Sequence, residues 1–182
     1  DLPEGFAWIA GNQTAGRGQR GNTWNTEPNQ NLTLSFLLRP PHHLLDKQFY
    51  LSKAIANGIL AGLESWSRAT QGESFNFEIK WPNDIYLDGI KMGGILIENN
   101  FQAGKWSFSI IGIGLNINQT QFSPDAPNPV SLKQITGRDW DIRSLQAGLT
   151  KSLNESIQAW QMNGDEKTIQ QFDQHIIEFN SK

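Results

Sequence analysis

The sequence predicts an α+β domain with a mixed, mainly antiparallel sheet and helices packed on one face. Three observations predict it. Strand-like and helix-like stretches do not alternate as βαβα but run as strands, one helix, a block of strands and then helices. Asp88-Gly89 separates two apolar runs as a two-residue hairpin turn does. The chain of 182 residues is long enough for one domain with a full core, and we expect 1–182 to be a single domain.

Taken in order, Phe6 to Ala10 is a short apolar run suited to a buried strand. A loop rich in glycine and arginine follows from Gly11 to Trp24. Asn31 to Arg39 alternates as a strand and stops at Pro40-Pro41. Asp46 is placed to cap a helix through about Trp66, with Leu51, Ile55, Ile59 and Leu63 on one face. Ala54, Gly58 and Gly62 form a second, flat stripe where that helix could lie close against a sheet. Ser67 to Ser74 reads as polar loop. Phe75 to Trp81 and Ile85 to Leu87 read as strands, and Met92 to Glu98 as another beyond the Asp88-Gly89 turn. Asn99 to Lys105 turns, and Trp106 to Asn118 is a long strand. Gln119 to Pro129, with three prolines, reads as surface loop. Ser131 to Thr136 is a short helix ended by Gly137. Asp141 caps a helix to about Met162, and Gly164-Asp165 separates it from a last helix carrying Ile169, Phe172, Ile176 and Phe179 on one side.

Composition narrows the function. Fifteen basic and 18 acidic residues give a formal net charge of −3, so no global field favours nucleic acid or an anionic membrane, and anion affinity must be local. The absence of cysteine excludes disulfides, thiolate metal sites and a cysteine nucleophile. His42, His43 and His175 lack ligand spacing, so no zinc site is expected. No apolar run approaches the roughly 20 residues of a membrane span, and no signal-peptide pattern opens the chain. The expectation is a cytoplasmic protein, and the abrupt ends suggest a piece of a longer one.

Three stretches carry chemistry. Gly11 to Trp24 packs four glycines and two arginines into a few residues. Glycine lets backbone approach a ligand, and arginine offers a fork of donors for carboxylates and phosphates. Gly16, Gly18 and Gly21 spell G-x-G-x-x-G, but a dinucleotide fold needs that motif to open a helix, and here a strand follows. An anion-cradling loop is the reading, against a mobile surface loop as the bland one. The second stretch is Lys80-Trp-Pro-Asn-Asp84 with Lys91-Met-Gly-Gly94 beyond the turn. A lysine ending a buried strand needs an anion or a carboxylate, with Asp84 and Glu98 as the structural candidates. Gly93-Gly94 weakens a strand unless something must approach the backbone. The third is Ile111-Gly-Ile-Gly-Leu-Asn-Ile-Asn118, where Gly112, Gly114 and Asn116 share one strand face. A slot for a flat ligand and tight packing of another element remain equal readings.

Together, Gln13 to Trp24, Lys80 to Asp84 with Lys91 to Glu98, and Gly112 to Asn116 resemble the catalytic domain of the biotin protein ligases, over about Phe6 to Asn118. The resemblance implies the class II synthetase-like fold shared by biotin and lipoate ligases. It implies that biotin and Mg-ATP give biotinyl-5′-AMP, whose biotinyl group passes to a lysine of a biotin carboxyl carrier protein. Lys80 and Arg17 would be the catalytic residues. Gln13, Gly16, Arg17, Gly18, Gln19, Arg20, Lys80, Gly94, Gly112 and Gly114 would bind biotin or the adenylate. Lys91 and Asn116 would serve the ATP phosphates, with Mg²⁺ held through those phosphates and Asn116. The partners implied are biotin, ATP and the carrier protein, with room for a homodimer and none for nucleic acid or membrane.

Three departures stand out. The family's biotin-binding Ser/Thr-Asn segment is expected upstream of Asp1, its small barrel is not found after the last helix, and Gln19 stands where many members carry arginine. Two other readings are a lipoate or octanoate ligase or transferase and a non-catalytic biotin- or nucleotide-binding module.

Overall fold

The computed structural model describes residues 2–71, 74–124, 126, 128–163, 172–173 and 176. Its strands are β1 (Ala7–Ile9), β2 (Gly16–Arg17), β3 (Thr23–Trp24), β4 (Asn31–Leu38), β5 (Phe77–Lys80), β6 (Asp84–Leu87), β7 (Ile90–Gln102) and β8 (Lys105–Asn116), and its helices α1 (Gln48–Gln71), α2 (Leu132–Thr136) and α3 (Ile142–Asn163). The fold is α+β and its strand pairs are antiparallel, as expected. The chain forms two compact units: one runs through Asp46 and takes in Lys91–Ile142, and the other takes in Lys47–Ile90 and the residues after Ile142.

The first unit is built on a sheet in the order β1-β4-β8-β7. Its two faces differ sharply in chemistry. Leu32, Leu34, Ile95, Ile111, Ile113 and Leu115 alternate onto one face and are buried there. Residues one step away in register face the other side: Asn31, Thr33 and Ser35 of β4 lie opposite Asn116, Gly114 and Gly112 of β8. Gly94 and Leu96 of β7 continue the same rows. The turn between β7 and β8 is tighter than the Asn99–Lys105 expected. Only Ala103 and Gly104 leave the ladder, with φ of 49° and 72°, because two successive positive φ values match the twist of a hairpin. β8 ends at Asn116, and α2 carries a reciprocal capping box between Ser131 and Gln134 and a left-handed Gly137.

Phe6 to Ala10 is corrected in one respect. It forms a strand but not a buried one: Trp8 is 41% and Ile9 56% exposed, because β1 is the edge strand. In the Gln119–Pro129 stretch the described residues are irregular apart from a bridge of Pro129 to Lys91, but the first is not at the surface, since Gln119 is only 3% exposed.

In the second unit α1 starts at Gln48, with Tyr50 and Leu51 N–H bonding to Lys47 O, so Asp46 does not lead the helix. It also runs past Trp66, where polar loop was expected. Ser67 Oγ donates to Glu64 O, Thr70 Oγ1 to Trp66 O, and Arg68 pairs with Glu64 one turn back, all of which suit the polar end to helix. The small-residue stripe faces α3, not a sheet. A Cβ on Gly58 would come 3.0 Å from Leu153 Cα, one on Gly62 3.0 Å from Leu149 Cα, and Ser156 Oγ donates to Ala54 O at 2.7 Å. Two helices this close leave little room for a Cβ at Gly58 or Gly62. α1 also packs on β5, which pairs with β6. Asp88 and Gly89 both adopt positive φ, as a two-residue turn demands. Of the predicted last helix, Phe172 and Asp173 are helical, while Ile176 bridges Ile79 of β5 in parallel. Gly164, Asp165, Ile169 and Phe179 lie outside the described residues. Among the described residues no helix is long and apolar enough to cross a membrane.

Candidate active site

The glycine-arginine stretch folds as a small hairpin. Gly16 pairs with Trp24 and Arg17 with Thr23, a 3-10 turn at Gln19–Gly21 closes the tip, and Gly18 N–H donates to Asn22 O at 2.7 Å. Gly21 sits at φ 80°, a left-handed backbone that a residue with a Cβ adopts only at a cost. Arg20 is part of that turn, and its side chain lies outside the described residues. Arg17 crosses to β7 and pairs with Glu98, Nη2 to Oε2 at 3.0 Å. Between hairpin and β7 lies an open cleft of about 540 Å³, lined by Arg17, Gly18, Gln19, Asn22, Leu96 and Glu98.

Trp24 ends the hairpin and lies over the glycine row of β8. A Cβ on Gly114 would come 2.6 Å from Trp24 Cε2 and Cζ2, whereas one on Gly112 would meet nothing closer than 3.7 Å. The two glycines therefore differ: Gly114 makes room for the indole, whereas a Cβ at Gly112 would meet Leu96 and Ser35 only at ordinary contact distance. Trp24 Nε1 is buried and makes no hydrogen bond with the described residues, an unspent donor on this face. Gly93 also has a packing reason, since its Cβ would fall 2.5 Å from Gly114 O. Gly94 pairs with Gly114 and so shares the glycine face.

Gln13 precedes the hairpin. Its N–H donates to Thr26 Oγ1 at 3.0 Å, and its Oε1 lies 3.1 Å from where a Cβ of Gly16 would stand. Asn116, 4% exposed, donates from Nδ2 to Val130 O at 3.2 Å. With its nitrogen engaged, it offers oxygen to whatever lies beside it. Lys91 N–H and C=O lie beside the same segment, Val130 N–H donating to Lys91 O at 2.8 Å. Gln13, the hairpin, Lys91, Gly94, Gly112, Gly114 and Asn116 thus belong to one unit. Lys80 belongs to the other. It ends β5 opposite Asp84, with its ammonium 5.6 Å from the Tyr86 ring centre. Glu98, one candidate partner for Lys80, is instead the partner of Arg17.

Sequence reasoning missed Asn31, Thr33, Ser35 and Gln119. The polar alternation of Asn31-Leu-Thr-Leu-Ser35 was a usable signal for the first three, since it sets three polar groups on one strand face. Gln119 had none, because it opens an irregular stretch.

The sheet thus has one apolar face and one glycine-amide face, the latter topped by a glycine-arginine hairpin. The chain matches the biotin/lipoate A/B protein ligase family over residues 1–116, and it belongs to that family. It is 35% identical over 146 residues to the bifunctional ligase/repressor BirA of Bacillus spizizenii, covering 78% of this chain and 42% of that protein. It is 34% identical over 143 residues to the biotin–[acetyl-CoA-carboxylase] ligase of Paracoccus denitrificans, covering 75% of this chain and 57% of that one. Among solved structures, the biotin protein ligase of Aquifex aeolicus in complex with biotin and ATP superposes with a TM-score of 0.79 at 25% identity, over 97% of this chain and 71% of that one. The chain spans about half the length of the curated relatives it matches.

Proposed function

We propose that this chain carries the catalytic domain of a biotin protein ligase, with 1–182 acting as one domain. It would activate biotin with ATP to biotinyl-5′-AMP and transfer biotin to a lysine of a carboxylase's biotin carboxyl carrier protein. The observation that carries this reading is the glycine-amide face under the hairpin, where Gly94, Gly112 and Gly114 of neighbouring strands share one side with Asn116. The named activities of the relatives support the same chemistry.

In the first step a biotin carboxylate oxygen bonds to the α-phosphorus, and the bond to the pyrophosphate oxygen breaks. In the second a lysine amine bonds to the acyl carbon, AMP leaves, and the amine's proton goes to solvent. The carboxylate is already ionised, so the first step needs no general base. It needs placement and relief from anion–anion repulsion. Gln13, Gly94 and Gly112 suit the biotin side, with Gly114 serving it by seating the Trp24 indole beside them. Arg17, Gly18, Gln19 and Arg20 suit a lid over the adenylate that keeps water from a hydrolysable anhydride. Lys91 and Asn116 suit the phosphates, and Lys80 is assigned by its motif.

Among the described residues no three acidic or histidine side chains cluster to cage a metal. What fits is Mg²⁺ arriving on ATP phosphates, with Asn116 Oδ1 as one neutral oxygen. Bound there, it would offset charge on the phosphates. A cytoplasmic setting fits an ATP-dependent reaction, and the edge of β1 that no described strand pairs with offers a surface for a homodimer.

ATP–pyrophosphate exchange tests the reading. Exchange that depends on biotin supports it. Exchange that depends on lipoate identifies a lipoate ligase, and biotin binding without exchange identifies a binding module.

A further inference from the structure

The exit of β8 is a knot of buried amides that the proposed chemistry does not use. Asn31 is 5% exposed and Gln119 3%. Asn31 Oδ1 accepts from Ile117 N–H at 3.1 Å, and its Nδ2 donates to Gln119 Oε1. The same Gln119 oxygen accepts from Glu27 N–H at 3.1 Å, and Gln119 Nε2 donates to Gln121 O at 2.7 Å. Both atoms of this carboxamide are spent, on three different segments. A buried amide so fully bonded has one orientation, because turning it would strand donors against donors.

The segment it grips matters. Glu27 lies three residues past Trp24, the indole on Gly114, and one past Thr26, whose Oγ1 accepts from Gln13 N–H. Asn29 N–H donates to Gly11 O at 2.6 Å, so the segment is also laced to the chain leading into Gln13. On the other side Asn31 stands opposite Asn116 in the ladder. Gln119 thus ties together the strand end bearing Asn116, the segment bearing Trp24 and, through Thr26, the backbone of Gln13.

We infer that Gln119 is a positioning residue, setting the spacing between Gln13, Trp24 and Asn116 through its bonds to Glu27 and Asn31. This rests on the ligase reading for what the three residues hold, not for the linkage itself. Gln119 touches no ligand in this scheme.

The test uses the whole chain. Biotin affinity and amide hydrogen exchange are measured for wild type, Gln119→Leu, Thr26→Val and Thr26→Ser. Gln119→Leu should weaken biotin binding about tenfold, the scale of one lost buried hydrogen bond, and speed exchange at the Gln13 amide. Thr26→Val leaves Gln119 intact but cuts the last link, so it should weaken biotin similarly. Thr26→Ser keeps the accepting oxygen and should restore both readouts. Wild-type affinity and Gln13 exchange in a folded Gln119→Leu overturn the inference. If that variant does not fold, unchanged affinity and exchange in Thr26→Val overturn it instead. Failure of wild type to bind biotin defeats the ligase reading alone, and Gln13 exchange in the variants still decides the linkage.

Discussion

Arg17 Nη2 and Glu98 Oε2 stand 3.0 Å apart, joining the hairpin to β7 across 81 residues of sequence. Both side chains stay largely in water, 72% and 45% exposed, which limits the pair to about 0.2–1 kcal/mol. Under the ligase reading this pair competes with the anion that Arg17 is meant to meet. Glu98→Gln should therefore tighten binding of a biotinyl-adenylate analogue by about 1.5- to 5-fold, the Boltzmann equivalent of that range. The gain should shrink as salt is added, and titration at two ionic strengths checks it.

Lys80→Ala removes a cation that sits 5.6 Å from the Tyr86 ring and ends a strand, and so should leave the fold standing. Biotin-dependent pyrophosphate exchange should fall about 10²- to 10³-fold, the usual loss for a group that stabilises transition-state charge. Near-wild-type exchange in a folded variant would remove Lys80 from the mechanism.

Gly114 and Gly112 separate packing from binding. Gly114→Ala drives a methyl to 2.6 Å from the Trp24 ring and should cost about 1–3 kcal/mol of stability. Gly112→Ala meets no atom closer than 3.7 Å, so its melting temperature should hold. Its biotin affinity should still fall at least about tenfold, because a methyl would fill the slot a ligand needs. Calorimetric melting and titration of both variants decide the matter. An unaltered affinity in Gly112→Ala would mean that this glycine lines no ligand.

Glu4 accepts a hydrogen bond from Arg39 N–H at 2.7 Å. Glu4 is exposed by its accessible surface, yet partial desolvation by the neighbouring chain pushes its carboxyl above the usual 4.5, outweighing the Arg39 amide and charge that pull it down. The folded state then binds the proton more tightly than the unfolded chain. That contribution to stability is full below pH 4.5 and lost as pH rises through the higher folded value. Urea midpoints of Glu4→Gln and wild type should therefore shift in favour of the variant between pH 4 and pH 7.

Much of the fold was legible because it rests on period. Asn31–Leu38 and Lys105–Asn116 follow strand alternation, and Ile142–Asn163 follows helical spacing closely. The failures are equally physical. Phe6 to Ala10 looked buried because it is apolar, yet an edge strand has a neighbour on one side only. Ser67–Gln71 looked like loop because its side-chain bonds to helix carbonyls leave no trace in hydrophobic spacing. The flat stripe on α1 was readable as a close contact, but not the α3 residues that fill it, more than 85 positions further on. At the site, residue types showed where anions belong. Pairings such as Arg17 with Glu98, or Gln119 with Asn31, depend on register across the sheet, which no local pattern encodes.

The open edge at β1 bears on how the protein behaves in a tube. Phe6, Trp8 and Ala10 pair with β4, so the N–H and C=O of Ala7 and Ile9 point outward, and no charge lies between Gly5 and Ile9. Among the described residues, this strand carries no charge to repel a copy of itself. Self-association through this edge should then grow with concentration, and Ile9→Lys, at a side chain 56% exposed, should suppress it in light scattering.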